Sequence, residues 1–267
     1  MWPFTRRPVV DPDTAQWHAD NFAWLVESFG GNETLSASVL VLPRPGFFPS
    51  DGEEGHDKAL RIFQQVKHLS GMGDDWPVQL VPDSNPAAIQ PARSSVSAPV
   101  HGKHAQGTFS ATDSEVQISY APALIADPER LIATFAHELA HYLLATAPSP
   151  PPCADDEYEF LTDLTAVYLG FGVFMANTVF EFEPISDGVS QGWQMGRSGY
   201  LPEQDFIFAT ALFIAVKELD PGPACECLKP HLAKLLKRAL RDLTVDTHWV
   251  EKIRASIPAT KPRENEN

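Results

Sequence analysis

Apolar residues recur with a helical period over residues 12–28, where Trp17, Phe22, Trp24 and Leu25 fall near one face and Gly30-Gly31 supplies a stop. A second amphipathic helix is expected over Lys58–Leu69, with Leu60, Ile62, Phe63 and Val66 on its apolar face. Between the two, Ser36–Leu42 reads as a strand, and Pro43–Gly55 as a loop rich in Pro and Gly. Trp76–Val81 is a further strand candidate. Over Glu115–Tyr120 the apolar Val116, Ile118 and Tyr120 alternate with Gln117 and Ser119, the pattern of a half-buried strand. The stretch Asp83–Asp113, rich in Ser, Ala, Pro, Gln and Gly, reads as a long mobile loop or irregular hairpins that could serve as a flap over a cleft.

Beyond residue 126 the pattern turns helical. Asp127 suits an N-cap, with Pro128 at the first helical position, and the helix is expected to run to about Leu144, before the prolines of 148–152. Another should start near Asp155 and run toward Gly170. Pro202–Leu219 and Pro230–Leu243 look like two more. No internal repeat is evident. A mixed N-terminal half and a helical C-terminal half make an α+β pattern. The reading is one domain over residues 1–257, with an N-terminal lobe at about 1–126 carrying a small sheet and a mainly helical lobe at about 127–257. The polar residues 258–267 are expected to form a disordered tail.

Composition narrows the class of partner. The chain has 267 residues and a net charge of −15, with 20 Lys and Arg against 35 Asp and Glu. Phosphate backbones need clustered cations, so nucleic acid is not an expected partner. The basic run Lys229–Arg241 reads as a solvated helix face. Cys153, Cys225 and Cys227 are too few and wrongly spaced for a disulfide framework or a four-cysteine metal site, and ordinary reduced thiols are expected. No apolar core follows Arg6 and Arg7, so no secretory leader and a cytoplasmic location are expected. The longest uncharged run, Leu164–Phe180, contains Gly170, Gly172 and Asn177 and is flanked by acids. It reads as a buried helix rather than a membrane span.

The chemistry concentrates in His137-Glu138-Leu139-Ala140-His141. Four-residue spacing on a helix puts both imidazoles on one face, one turn apart, where two neutral rings can share a Zn²⁺ at about 2.0–2.1 Å. Glu138 is turned away around the helix, so it suits a base acting on water at the metal better than a ligand. From Leu131 to Leu144 the only charged or imidazole side chains are those of the motif, which implies a buried helix. Burying two histidines and a glutamate is costly unless something satisfies them.

A catalytic zinc needs a third protein ligand and an open position. The segment Glu157-Tyr158-Glu159-Phe160-Leu161-Thr162-Asp163 offers Glu157, Glu159 and Asp163 on the next helix. Together the two motifs, within about residues 134–172, resemble the gluzincin clan of metallopeptidases, the thermolysin-like group. The resemblance implies a zincin-like fold, one zinc per chain held by His137, His141 and Glu159, and Asp163 orienting His137 from behind. Asp163 as the ligand itself stays open. The metzincin pattern is excluded, because Leu144 and Ala147 stand where it needs Gly and His.

The same resemblance implies a zinc-dependent hydrolase, a peptidase acting on a peptide or protein, with Glu138 as general base. Arg197 or Tyr200, in the Gly-rich stretch Gln191–Tyr200, would stabilise the oxyanion. His231 and His248 read as surface histidines, and Glu181 and Glu183 as the wet face of a strand or loop. Thr108, Phe109 and the 115–120 strand could form an edge for an extended substrate. The alternative is a binding or regulatory module that keeps the metal but has no turnover. Retention of Glu138 favours hydrolysis, since a purely structural site has no use for a base.

Overall fold

Asp11 starts the first helix: its carboxylate accepts from the amides of Asp13 and Thr14, and Pro12 fills the first turn. The resulting α1 spans Pro12–Ser28 in the computed structural model of the chain, which describes residues 7–30, 35, 37–49, 52–83, 107–111, 116–179 and 201–257. The architecture is α+β. After α1 come α2 (Gly55–Leu69), then three short strands, β1 (Gln79–Pro82), β2 (Gly107–Ala111) and β3 (Val116–Tyr120). The rest is helical: α3 (Pro128–Ala145), α4 (Tyr158–Ala166), α5 (Gly172–Thr178), α6 (Glu203–Val216), α7 (Gly222–Cys227), α8 (Pro230–Val245) and α9 (His248–Ala255).

The three strands form one sheet in the order β1-β3-β2, with β1 parallel and β2 antiparallel to β3. Two corrections follow. The stretch expected to be a loop or irregular hairpin contains a regular strand, β2, with Phe109 opposite Ile118. And β3 is the central strand, with ladders on both sides, so the edge nearest the helical half belongs to β2 alone. Of the remaining loop, residues 84–106 and 112–115 lie outside the described residues. The strand expected from Trp76 begins only at Gln79, because Gly73–Trp76 closes a turn instead.

Helix α3 is the spine. Asp127 accepts from the Arg130 amide as its cap, and every residue from Leu131 to Ala140 is buried. Its Phe135 packs edge-on against Phe63 of α2 and Tyr120 of β3, with ring centroids 5.2 and 5.7 Å apart, and so joins three elements. Cutting such a ring back to Ala costs about 3–5 kcal/mol. On its other side α3 packs against α4 and α5.

The helix expected to end near Gly170 does not stop there. Gly170 takes φ +101° within a π-helical turn, Val167–Phe171, and the chain resumes as α5. The span Asp155–Thr178 is long and apolar enough to cross a membrane, yet 94% of its most apolar window is buried inside the protein, so it serves as core. The break explains a second departure. No strand forms over the described residues 37–42. Val41 and Leu42 are buried as their pattern requires, but the Val41 amide donates to the Gly170 carbonyl (2.9 Å), which the π turn leaves free.

Helix α6 is apolar all round and correspondingly buried from Asp205 to Ile214. It carries α8, whose Leu232, Leu236, Ala239 and Leu243 face inward while Lys234, Lys237 and Arg241 face out. Helix α1 lies against α9, α4 and α6, and the buried His18 meets Asp205 of α6 at 3.0 Å. The short helices α7 and α9 are not signalled by the apolar pattern. Helix α9 buries only Val250 and Ile253.

Candidate metal centre

Two helices meet at the site. The capped α3 presents His137 and His141 one turn apart, as the spacing requires. The first turn of α4 presents Glu159. This helix is positioned by a capping arrangement in which Glu157 Oε2 accepts from the Ala154 amide (2.9 Å) and from Trp17 Nε1 of α1 (3.1 Å). Glu157 is thereby occupied away from the histidines, which removes it from the three carboxylates that the sequence offers as a third ligand.

The donor atoms converge. His137 Nε2 and His141 Nε2 are 3.2 Å apart, and Glu159 Oε2 lies 3.4 Å from the first and 3.5 Å from the second. These three residues form a group able to hold a metal ion. Asp163 is not one of its members. Its Oδ1 accepts from His137 Nδ1 at 2.9 Å and its Oδ2 from the Leu201 amide at 2.9 Å, in a fully buried position. With Nδ1 donating to a carboxylate, His137 offers a lone pair at Nε2.

Such an arrangement is unfavourable without a cation. A carboxylate oxygen and two imidazole nitrogens crowd one point, and Glu159 Oε1 is buried with no hydrogen-bond partner. A proton answers the same need in the metal-free chain. Burial opposes the charged form of His137, but its hydrogen bonds to Asp163 and Glu159 outweigh this and raise its pKa well above the ordinary value. Glu159 is half-buried, which pushes its carboxyl up, yet the bonds from His137 and His141 outweigh this and hold it far below the usual carboxylate range.

Glu138 is buried beside the group without joining it, and burial pushes its carboxyl up despite the nearby histidines. Strand β2 passes directly over it. A Cβ placed on Gly107 would stand 2.9 Å from Glu138 Oε1 and 2.8 Å from Thr134 Cγ2. The rings of Phe109 on β2 and Tyr158 on α4 lie nearly parallel to that of His141, with centroids 6.3 and 6.4 Å away. Gly107, Phe109 and Tyr158 are neighbours of the site that the motifs do not signal. The sequence offers Phe109 with Thr108 as a candidate substrate edge but does not place it against His141, and Gly107 could have been found only by continuing the strand alternation backward into 107–111.

The other sequence candidates fall elsewhere. Arg197, Tyr200, Glu181 and Glu183 lie outside the described residues. His231 pairs with Glu203 and His248 with Asp246, both at the surface. Cys153, Cys225 and Cys227 are free thiols, and burial pushes Cys153 up to about 11, far from reactive. No family model matches the chain, and comparison with curated proteins and with solved structures gives no match either.

Proposed function

We propose that this chain is a zinc-dependent hydrolase of peptide bonds, with a zincin-like arrangement of His137, His141 and Glu159 around one zinc and Glu138 as general base. The observation that carries the reading is the donor triangle. Its sides are 3.2, 3.4 and 3.5 Å. A tetrahedral ion with bonds of about 2.0–2.1 Å holds its donors about 3.3–3.4 Å apart, so the three atoms are spaced as three corners of such a tetrahedron. Two imidazoles and one carboxylate are a catalytic zinc donor set, and an ion held by these three would keep a position for water or substrate.

Zinc held by His137, His141 and Glu159 would supply Lewis acidity, acidifying water and polarising a carbonyl. The protein supplies the rest. Glu138 takes the proton of the attacking water and returns it to the leaving amine. Its raised carboxyl suits both tasks, because the best proton carrier has a pKa near the working pH. Asp163 keeps His137 in the tautomer that presents Nε2. Gly107 lets backbone come close to Glu138, and the outer edge of β2 has no strand partner among the described residues, which suits an extended peptide pairing beside the base. Arg197 and Tyr200, outside the described residues, stay the candidate oxyanion donors that the resemblance implies.

The test is Glu138→Gln assayed with a generic peptide library. The variant is expected to keep its zinc and lose cleavage. Retained cleavage would remove Glu138 from the mechanism, and a zinc-loaded wild type that cleaves no peptide would remove the peptidase reading.

A further inference from the structure

The two histidines are held differently, and the second holder carries no charge. His141 Nδ1 faces Thr162 Oγ1 at 3.4 Å, at the long end of hydrogen bonding. Among the described residues no other polar atom is bonded to that nitrogen. Thr162 is fully buried on α4, one residue before Asp163, and its hydroxyl contacts the carbonyl of Tyr158, four residues back, at 3.0 Å. A hydroxyl has one proton, and a carbonyl can only accept. The proton of Thr162 therefore goes to Tyr158, leaving lone pairs toward His141. With Nε2 given to a metal, the imidazole is then the donor, with its proton on Nδ1 and its lone pair on Nε2, the atom that faces His137 and Glu159.

We propose that Thr162 is a positioning residue for the metal centre: its hydroxyl, oriented by the Tyr158 carbonyl, fixes His141 as the Nδ1–H tautomer and aims Nε2 at the ion. This rests on the metal reading above. Adjacent residues of one helix thus hold the two histidine ligands, Asp163 from behind His137 and Thr162 from behind His141. The second hold adds no charge to a site already lined by Glu138, Glu159 and Asp163. A carboxylate at position 162 would give a fourth buried anion against one dication, whereas a hydroxyl orients the ring and stays neutral.

The test compares full-length wild type, Thr162→Val and Thr162→Ser, each titrated with zinc against a chromophoric chelator. Each is also loaded with cobalt(II), to record the exchangeable imidazole N–H resonances shifted by the ion. Loss of a hydrogen bond behind a ligating histidine lowers metal affinity by about 10–100-fold. Thr162→Val keeps the side-chain shape and is expected to bind zinc at least about tenfold more weakly and to lose one of two protected N–H signals. Thr162→Ser removes the methyl but keeps the hydroxyl, and is expected to restore both. Wild-type affinity in Thr162→Val overturns the proposal. So does a Thr162→Ser defect as large as that of Thr162→Val, or weaker binding with both signals intact, since Thr162 would then act through packing alone. A wild type that binds no zinc overturns this proposal and the metal reading together. Zinc bound equally by wild type and Thr162→Val overturns only this one.

Discussion

Asp163 Oδ1 lies 2.9 Å from His137 Nδ1, and the other oxygen of the same carboxylate accepts the Leu201 amide at 2.9 Å. One buried side chain thus orients a residue of the proposed ligand set on α3 and fixes the start of α6. Asp163→Ala is expected to lower zinc affinity by about 10–100-fold. It should also leave the Leu201 amide unpaired, costing about 1–3 kcal/mol in the metal-free protein. Chelator competition and melting of the metal-free form read the two effects separately. A change in affinity without a change in melting would mean that the Leu201 bond is unimportant.

The pH dependence follows from the same group. His137 is raised above its ordinary 6.5, so its contribution to stability is complete below that value and is lost as pH rises through the folded one. Glu159 is held below its ordinary 4.5, so its contribution is present above that value and is lost as pH falls toward the folded one. For these two groups the metal-free protein gains most between about pH 4.5 and 6.5. Zinc must displace the His137 proton, so the rise in melting temperature that zinc produces should shrink steadily on acidification, starting above pH 6.5. Zinc stabilisation that stays flat across that range would contradict the arrangement.

Gly107 tests the proposed role of Glu138 as base independently of the metal. A methyl there meets the Glu138 carboxylate, the Thr134 side chain and the Ser119 carbonyl, at 2.9, 2.8 and 3.0 Å. Gly107→Ala is expected to displace Glu138 or β2, leaving zinc content unchanged while kcat falls by at least about tenfold, since small misplacements of a proton-transfer group are costly. Full activity in this variant would show that β2 does not confine Glu138.

Gly170 is a test of the fold. Its φ is +101°, and a Cβ added there would stand 2.1 Å from the Val39 carbonyl oxygen, so a side chain has no room. Gly170→Ala is expected to destabilise the protein by at least about 2 kcal/mol, from left-handed backbone strain and loss of the Val41 contact. Thermal melting reads it directly, and a melting temperature equal to that of wild type would contradict the contact.

The residues of the motifs were legible because their spacing is helical: His137 and His141 must share a face, and Glu159 and Asp163 stand one turn apart. The α3 boundaries were legible because Asp127-Pro128 is a strong local start signal. What was not legible depends on contacts between distant segments. Val41 sits in a strand-like run, yet its partner is a carbonyl freed by a helix break more than a hundred residues later. Gly170 marks that break, but a single glycine reads equally well as a helix end. Strand β2 was hidden in a stretch of Ser, Gly and Ala, because an edge strand needs only its pairing with β3 and little apolar pattern of its own. The separation of roles between Glu157, Glu159 and Asp163 needed the cap at Ala154 and the Leu201 amide, neither of which is marked in the sequence.

The most direct measurement is metal content by elemental mass spectrometry, on protein purified without added metal or chelator, beside His137→Ala, His141→Ala and Glu159→Ala. The expected result is about one zinc per chain in the wild type, strongly reduced in all three variants. A wild type that holds no zinc, even after zinc is offered at neutral pH, would contradict the metal centre. Full zinc in Glu159→Ala would contradict the ligand set.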